Sequence, residues 1–196
     1  MVISMADDTR QSNTQDLVVL ARTEAGALAE LYEMTYDRVF RFCVVRIGDR
    51  TQAEDIVSEV YLDVARQIHR FRGTTEQDFR NWLFAIAANK ANSFLRRYLR
   101  RTHLLQCSAD RLARPIPDCP GTYPGLDWPV LHQAILELRP VHQTIVALRF
   151  FEDMDFESIG RIVGMRPNAV RVALHRILKR LRRRLGAGGE GGNSHV

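Results

Sequence analysis

Apolar residues recur at steps of three and four along most of this 196-residue chain, and two stretches interrupt the rhythm. From Leu17 to about Leu99 the spacing predicts helices. Leu28, Leu31, Tyr32, Val39, Phe40, Cys43, Val44 and Ile47 share the apolar face of the first. Gly48 stops it, and Thr51 is placed to cap the next helix, with Glu54 three residues on completing a capping box. Ile56, Val57, Val60, Tyr61, Val64 and Ile68 form the second apolar face. "FRGTTEQD" reads as a turn, and "FRNWLFAIAANKANSFLRRYLRR" reads as a third helix that turns Trp82, Leu83, Ile86, Phe94 and Leu95 inward.

After Arg101 the periodicity fails. The next stretch, as far as Pro129, holds five of the chain's seven prolines, which predicts a linker. Helices resume at about Pro129 and run to Leu185, and the Gly-rich tail "GAGGEGGNSHV" is predicted to be disordered. No strand pattern or internal repeat is present. The expected architecture is all-α: two small helical domains, residues 17–99 and 129–185, joined by a flexible linker over 100–128. A flexible arm (1–16) precedes them and the tail (186–196) follows.

Within the second domain, "DFESIGRIVGMRPNAVRVALHRILKRL" divides into two helices. Asp155 can cap the first, Gly164 can end it with a positive φ, and Pro167 fits the first turn of the next. This is the pattern of a helix-turn-helix. Val170, Leu174, Ile177 and Leu181 face inward on the second helix, leaving Asn168, Arg171, His175 and Lys179 on the opposite side, flanked by Val172 and Arg176. From Arg171 to Arg184 there are seven positive charges and no acid. DNA phosphates would neutralise them.

Composition agrees. The chain is 45% hydrophobic and 26% charged, with a net charge of +5 carried almost wholly by arginine, since only Lys90 and Lys179 are lysines. Arginine's planar fork suits phosphates and base edges. No basic leader with an apolar core opens the sequence and no run approaches a membrane span, so a cytoplasmic protein without membrane insertion is expected. Cys43, Cys107 and Cys119 are too few and too irregular for a disulfide framework, and no metal site or cofactor is expected. Nothing assembles a nucleophile with its base or a phosphate-cradling glycine loop, which points away from an enzyme.

Two charged surfaces stand out in the first domain. Asp55, Glu59 and Asp63 form an acidic stripe at four-residue steps, with Glu54 beside it, at a cost of about 0.2–0.5 kcal/mol per like-charge pair that a basic partner would offset. On the third helix Lys90, Arg96, Arg97, Arg100 and Arg101 have no acid near them in sequence and suit contacts to a nucleic-acid backbone.

The segment "LRPVHQTIVALRFFEDMDFESIGRIVGMRPNAVRVALHRILKRLRRRL" resembles region 4 of bacterial sigma factors of the extracytoplasmic-function class. "AELYEMTYDRVFRF", "AEDIVSEVYLDV" and "FRNWLFAIAANKANSFLRR" resemble region 2 of the same class, in the same order. The resemblance implies a promoter-specificity subunit that binds core RNA polymerase, recognises −35 and −10 elements, helps melt the promoter and starts transcription of a stress or envelope-type regulon. It implies an anti-sigma factor as a further partner. Core-polymerase contacts would come from Glu54, Asp55, Ser58, Glu59 and Asp63. Contacts to the −10 element would come from Phe71, Arg80, Asn81, Asn89, Lys90, Ser93, Arg96 and Arg97, with Phe71 and Asn89 where the family holds a flipped base. The −35 element would meet Arg166, Asn168, Arg171, Val172, His175, Arg176 and Lys179. Departures from the family at Ser58, Tyr61, Ser93, Arg166, Val172 and Ala173 bear on promoter choice. Two other readings stay open: a stand-alone helix-turn-helix regulator, and a redox or zinc sensor using His103, Cys107 and Cys119.

Overall fold

The computed structural model describes residues 16–105 and 128–187, and every described element is helical. Residues 1–15, 106–127 with Cys107 and Cys119, and 188–196 lie outside the described residues. After a helical turn at residues 16–20 the chain forms α1 (Ala25–Ile47), α2 (Arg50–Gln67), a 3-10 turn (Ile68–Arg70) and α3 (Glu76–Leu105). The second half forms α4 (Trp128–Leu136), α5 (Pro140–Phe150), α6 (Phe156–Val163) and α7 (Pro167–Ala187).

Local chemistry sets the breaks. Gly48 takes φ 73° at the end of α1, and its amide donates to the Val44 carbonyl. The cap of α2 is Asp49, not Thr51: Asp49 is extended, and its carboxylate accepts from the Gln52 amide at 2.8 Å. Thr75 and Asp78 close a reciprocal box at the start of α3, with Thr75 Oγ1 to Asp78 Oδ2 at 2.7 Å and the Asp78 amide to Thr75 Oγ1 at 3.1 Å. That box starts α3 three residues earlier than periodicity suggests, and the helix runs on to Leu105, into the stretch read as linker.

The core of the first half is built from Leu31, Val39, Phe42, Ile56, Val60, Leu83, Phe84 and their neighbours, all buried. Phe42 and Phe84 meet edge to face with centroids 5.4 Å apart, and burying such a side chain contributes about 1.5–3 kcal/mol. Tyr32, expected inside, is 42% exposed. It stands in an aromatic group with Tyr36, Phe40 and Tyr61 at the α1–α2 surface.

The two halves do not sit apart. α5 packs on α1 and α3, α4 packs on α1, and α6 packs on α3, so one buried apolar cluster is continuous across both. The two expected helical domains are both present, and they pack against each other. Their docking brings polar groups into the interior, and those groups bear on function.

Candidate polymerase and promoter interface

The helix-turn-helix forms where the sequence places it. Asp155 caps α6 by accepting from the Ser158 amide at 2.8 Å and the Ser158 hydroxyl at 3.0 Å. These bonds hold its carboxyl below the usual carboxylate range. Gly164 ends α6 at φ 70°. The turn is tight as well as left-handed. The Met165 amide donates to the Gly160 carbonyl at 2.9 Å, and a Cβ on Gly160 would lie 2.5 Å from the Met165 oxygen.

Val170, Leu174, Ile177 and Leu181 are buried along α7, while Arg166, Asn168, Arg171, Val172, His175, Arg176 and Lys179 are all exposed. Six of the seven expected −35 residues thus share one open side of α7, and Arg166 immediately precedes the helix. Arg171 is preorganised: its guanidinium lies over the Phe156 ring of α6, 5.2 Å from the centroid, and Arg149 lies at 5.3 Å from the same ring. Arg184, at the far end, pairs with Glu137, just after α4.

The loop between α2 and α3 is fixed by three contacts. Phe71 stacks on Trp82 with centroids 4.8 Å apart, Arg22 donates to the Gly73 carbonyl, and a Cβ on Gly73 would fall 2.4 Å from the Phe71 ring. Trp82, Asn89, Ser93 and Arg96 then follow at helical spacing on α3, with Asn89, Arg96 and Arg97 exposed and Arg96 donating to Ser93 at 3.2 Å. This edge presents an aromatic stack, amides and cations along one line, a surface suited to a single strand with an unstacked base.

Lys90 departs from expectation. It is not free of acids: its ammonium lies 2.8 Å from Asp63 and 3.4 Å from Glu59 across the α2–α3 contact, and these partners raise its pKa. Half the acidic stripe is therefore already neutralised within the fold. Glu54 pairs with Arg50 at 3.1 Å, and Ser58 donates to the Glu54 carbonyl. Asp55 and Glu59 remain exposed, and Asp55 has no ion-pair partner among the described residues.

Arg80 and Asn81, expected at the rim of the −10 site, lie where the second half docks. Asn81 is buried, and Gln77 bridges it at 2.9 Å to Ser158 of α6 at 3.4 Å. Sequence reading missed three further groups of this interface. Arg46 of α1 is fully buried and donates to Gln143 of α5 at 2.7 Å and to Asn92 of α3. Burial lowers its pKa to about 9, so it remains a cation at neutral pH. His132 of α4 donates to the Val45 carbonyl at 3.1 Å and stacks under Trp128. Arg38 of α1 meets Glu152, from the α5–α6 turn, at 3.0 Å. An arginine inside an apolar run, as Arg46 is in "FCVVRI", was the one signal available for the first of these. Among the described residues no cluster of potential ligands fits a metal ion, and no helix is long and apolar enough to cross a membrane.

Comparison with known proteins gives this geometry its context. Residues 31–102 match the family described as Sigma-70 region 2, and residues 130–181 match Sigma-70, region 4. The RNA polymerase sigma factor CarQ of Myxococcus xanthus is 32% identical over 162 residues, covering 82% of this chain and 90% of CarQ. The ECF RNA polymerase sigma factor BldN of Streptomyces coelicolor is 28% identical over 184 residues, covering 92% of this chain and 69% of BldN. Among solved structures, the sigma factor RpoE of Bartonella quintana, in complex with the anti-sigma factor NepR, aligns with TM-score 0.64 at 18% identity over 81% of this chain and 96% of RpoE. CnrH, in complex with the cytosolic domain of CnrY, aligns with TM-score 0.66 at 18% identity over 88% of this chain and 97% of CnrH. At that identity the two structures speak for the fold.

Proposed function

The chain belongs to the sigma-70 family of RNA polymerase subunits, in its extracytoplasmic-function class, and from that membership we propose a division of labour among its residues. A sigma factor is the promoter-specificity subunit: it binds core RNA polymerase and promoter DNA and starts transcription.

The first domain, residues 17–99, carries the polymerase and −10 surfaces, and the second, residues 129–185, carries the −35 surface. Asp55 and Glu59 lead the contact with basic polymerase helices, supported by Glu54, Ser58 and Asp63. Phe71, Asn89, Ser93, Arg96 and Arg97 hold the unstacked strand, with Arg80, Asn81 and Lys90 completing the site once their present contacts open. Arg166, Asn168, Arg171, Val172, His175, Arg176 and Lys179 read or grip the −35 element. The observation that carries this reading is α7: an acid-free basic helix, entered through the left-handed turn that ends α6, that exposes its whole polar side.

Sigma factors in general are not enzymes, and we assign this one no catalytic step. We place it in the cytoplasm with the polymerase. A regulatory anti-sigma protein is a further partner, a reading supported by the RpoE structure solved with the anti-sigma factor NepR.

Run-off transcription tests the proposal. Core polymerase with this chain should give discrete transcripts from a subset of genomic promoter fragments, and polymerase by itself should give none. A chain that neither co-elutes with core polymerase nor directs any transcript would refute it.

A further inference from the structure

Glu152 is the most buried carboxylate in the interface between the halves. Its side chain is fully shielded, yet it comes from a turn and not from a helix. Its neighbour Asp153 holds φ 50°, a left-handed conformation uncommon outside glycine, and the next residue, Met154, is buried. The turn therefore inserts Glu152 into the first half and is fixed there.

What it meets is cationic. Arg38 donates to Glu152 Oε2 at 3.0 Å, while Oε1 has no hydrogen-bond partner among the described residues. Arg80 is half-buried beside it, and its Nε is also without a partner. Burial pushes the Glu152 carboxyl up, and Arg38, Arg80 and Arg41 pull it back, so three guanidinium groups act on one carboxylate. Burial also lowers the Arg80 pKa, and Arg38 lowers it further; Glu152, Glu76 and Asp153 oppose the change. A small cavity lies against Arg38 and Arg80, with Thr35 and Glu76 on its wall.

The charges sort by half. Arg38, Arg41, Arg80 and Glu76 belong to the first, whereas Glu152 and Asp153 belong to the second. Undocking removes the Glu152 carboxylate and leaves the three guanidinium groups with Glu76. The single bond from Arg38 leaves donors of this cluster unused, and planar guanidinium forks suit phosphate oxygens as well as carboxylates.

We propose that Arg38, Arg41 and Arg80 form a binding site for a DNA backbone phosphate, and that Glu152 of the second half occupies this site in the free chain. The inference rests on the promoter-binding reading for its ligand. It adds Arg38 and Arg41 to the surface that meets DNA. It also makes docking of the halves and binding of the strand mutually exclusive at one position.

The test uses the full-length free chain and a labelled single-stranded oligodeoxynucleotide of mixed sequence, since a phosphate contact is independent of sequence. Glu152→Gln keeps the side-chain shape and removes the charge. Its affinity should exceed that of wild type by roughly fivefold or more, because a masked site binds in proportion to the fraction unmasked. Its salt dependence should steepen by about 0.7 in log–log slope for each additional phosphate neutralised on a single strand. Adding Arg38→Ala and Arg41→Ala to Glu152→Gln should return affinity to the wild-type level.

Equal affinity of wild type and a folded Glu152→Gln overturns the proposal, and so does an increase that survives loss of both arginines, which would place the uncovered site elsewhere. Run-off transcription by wild type separates the two levels: transcription with no increase in Glu152→Gln removes the masked site and leaves the sigma reading intact. If Glu152→Gln loses helicity, Arg38→Ala/Arg41→Ala is assayed in the polymerase–promoter complex, where an unchanged salt slope overturns the proposal and a shallower one supports it.

Discussion

Arg46 and Gln143 stand 97 positions apart in the chain and share a hydrogen bond of 2.7 Å inside the protein, with neither residue more than 3% exposed. The Arg46 guanidinium reaches amide oxygens, from Gln143 and Asn92, and its Nε reaches none. A buried cation with neutral partners depends on each of them. Hydrogen bonds to charged groups contribute about 1.5–3 kcal/mol, and Gln143→Ala is expected to lose that amount in urea unfolding of the full chain. Arg46→Met removes the charge but keeps a long apolar side chain, and should cost less than Gln143→Ala or stabilise. The opposite order would show that the guanidinium itself holds the halves together.

The turn of the helix-turn-helix separates two roles of glycine. Gly160→Ala brings a Cβ to 2.5 Å from a backbone oxygen that cannot rotate away, and overpacking of this kind costs about 1–3 kcal/mol. Gly164→Ala meets no atom within 4 Å but retains φ 70°, which costs about 1–2 kcal/mol for an L-residue. Thermal melting should show both losses. Only Gly160→Ala should also shift the axis of α7 and weaken −35 binding at temperatures where the chain is folded.

Asp155 gives a dependence on pH with a definite sign. Its carboxyl is depressed in the folded chain by the bonds from Ser158, so its contribution is complete above the ordinary carboxyl range and fades as pH falls through the folded value. Asp155→Ala should cost about 1 kcal/mol at neutral pH, as for other caps. Melting curves of wild type and variant should converge in acid; a constant gap at all pH values would rule out the carboxylate as the cap.

Charge reversal at the acidic stripe distinguishes the polymerase surface from the fold. Asp55→Arg touches no ion pair among the described residues, and binding to core polymerase should fall at least about tenfold, or 1.4 kcal/mol, with melting unchanged. Asp63→Ala strips Lys90 of its nearer partner and should lower stability by up to about 1 kcal/mol while affecting polymerase less. Co-elution and calorimetry on the same samples would show the two effects exchanged if Asp63 were the contact residue.

Phe156→Leu tests whether Arg171 is held ready. Leucine keeps the apolar contact and removes the ring under the guanidinium. The −35 affinity should drop, by less than the about 1–3 kcal/mol expected for Arg171→Ala if that residue grips a base edge. An unchanged affinity in Phe156→Leu would mean that the stack breaks when DNA binds.

Wherever an interaction is local, the sequence exposes it. Val170, Leu174, Ile177 and Leu181 declare the buried side of α7 by spacing, and Asp155, Gly164 and Pro167 mark its turn, because caps and positive φ are decided within a few residues. The capping-box spacing points to Thr51, whereas the extended backbone at Asp49 puts the cap two residues earlier. Lys90 looks unpaired in the sequence because its acids sit on the preceding helix, brought close by the α2–α3 packing. Arg46 and Glu152 are beyond reach for a stronger form of the same reason. Their environment is created by the docking of two halves that the linker makes look independent.

Trp82 and Trp128 are the only two tryptophans of the chain. The first is stacked on Phe71 at the α2–α3 loop, and the second lies on His132, whose ring is bonded to a carbonyl of the opposite half. Indole emission responds to just such neighbours. The protein thus carries two native fluorophores with separate assignments: under the proposed −10 reading, light from Trp82 should follow entry of a base at the loop, and light from Trp128 should follow the parting of the halves. A pair of single-tryptophan variants would resolve promoter melting and domain opening in time, within one reaction and without a dye.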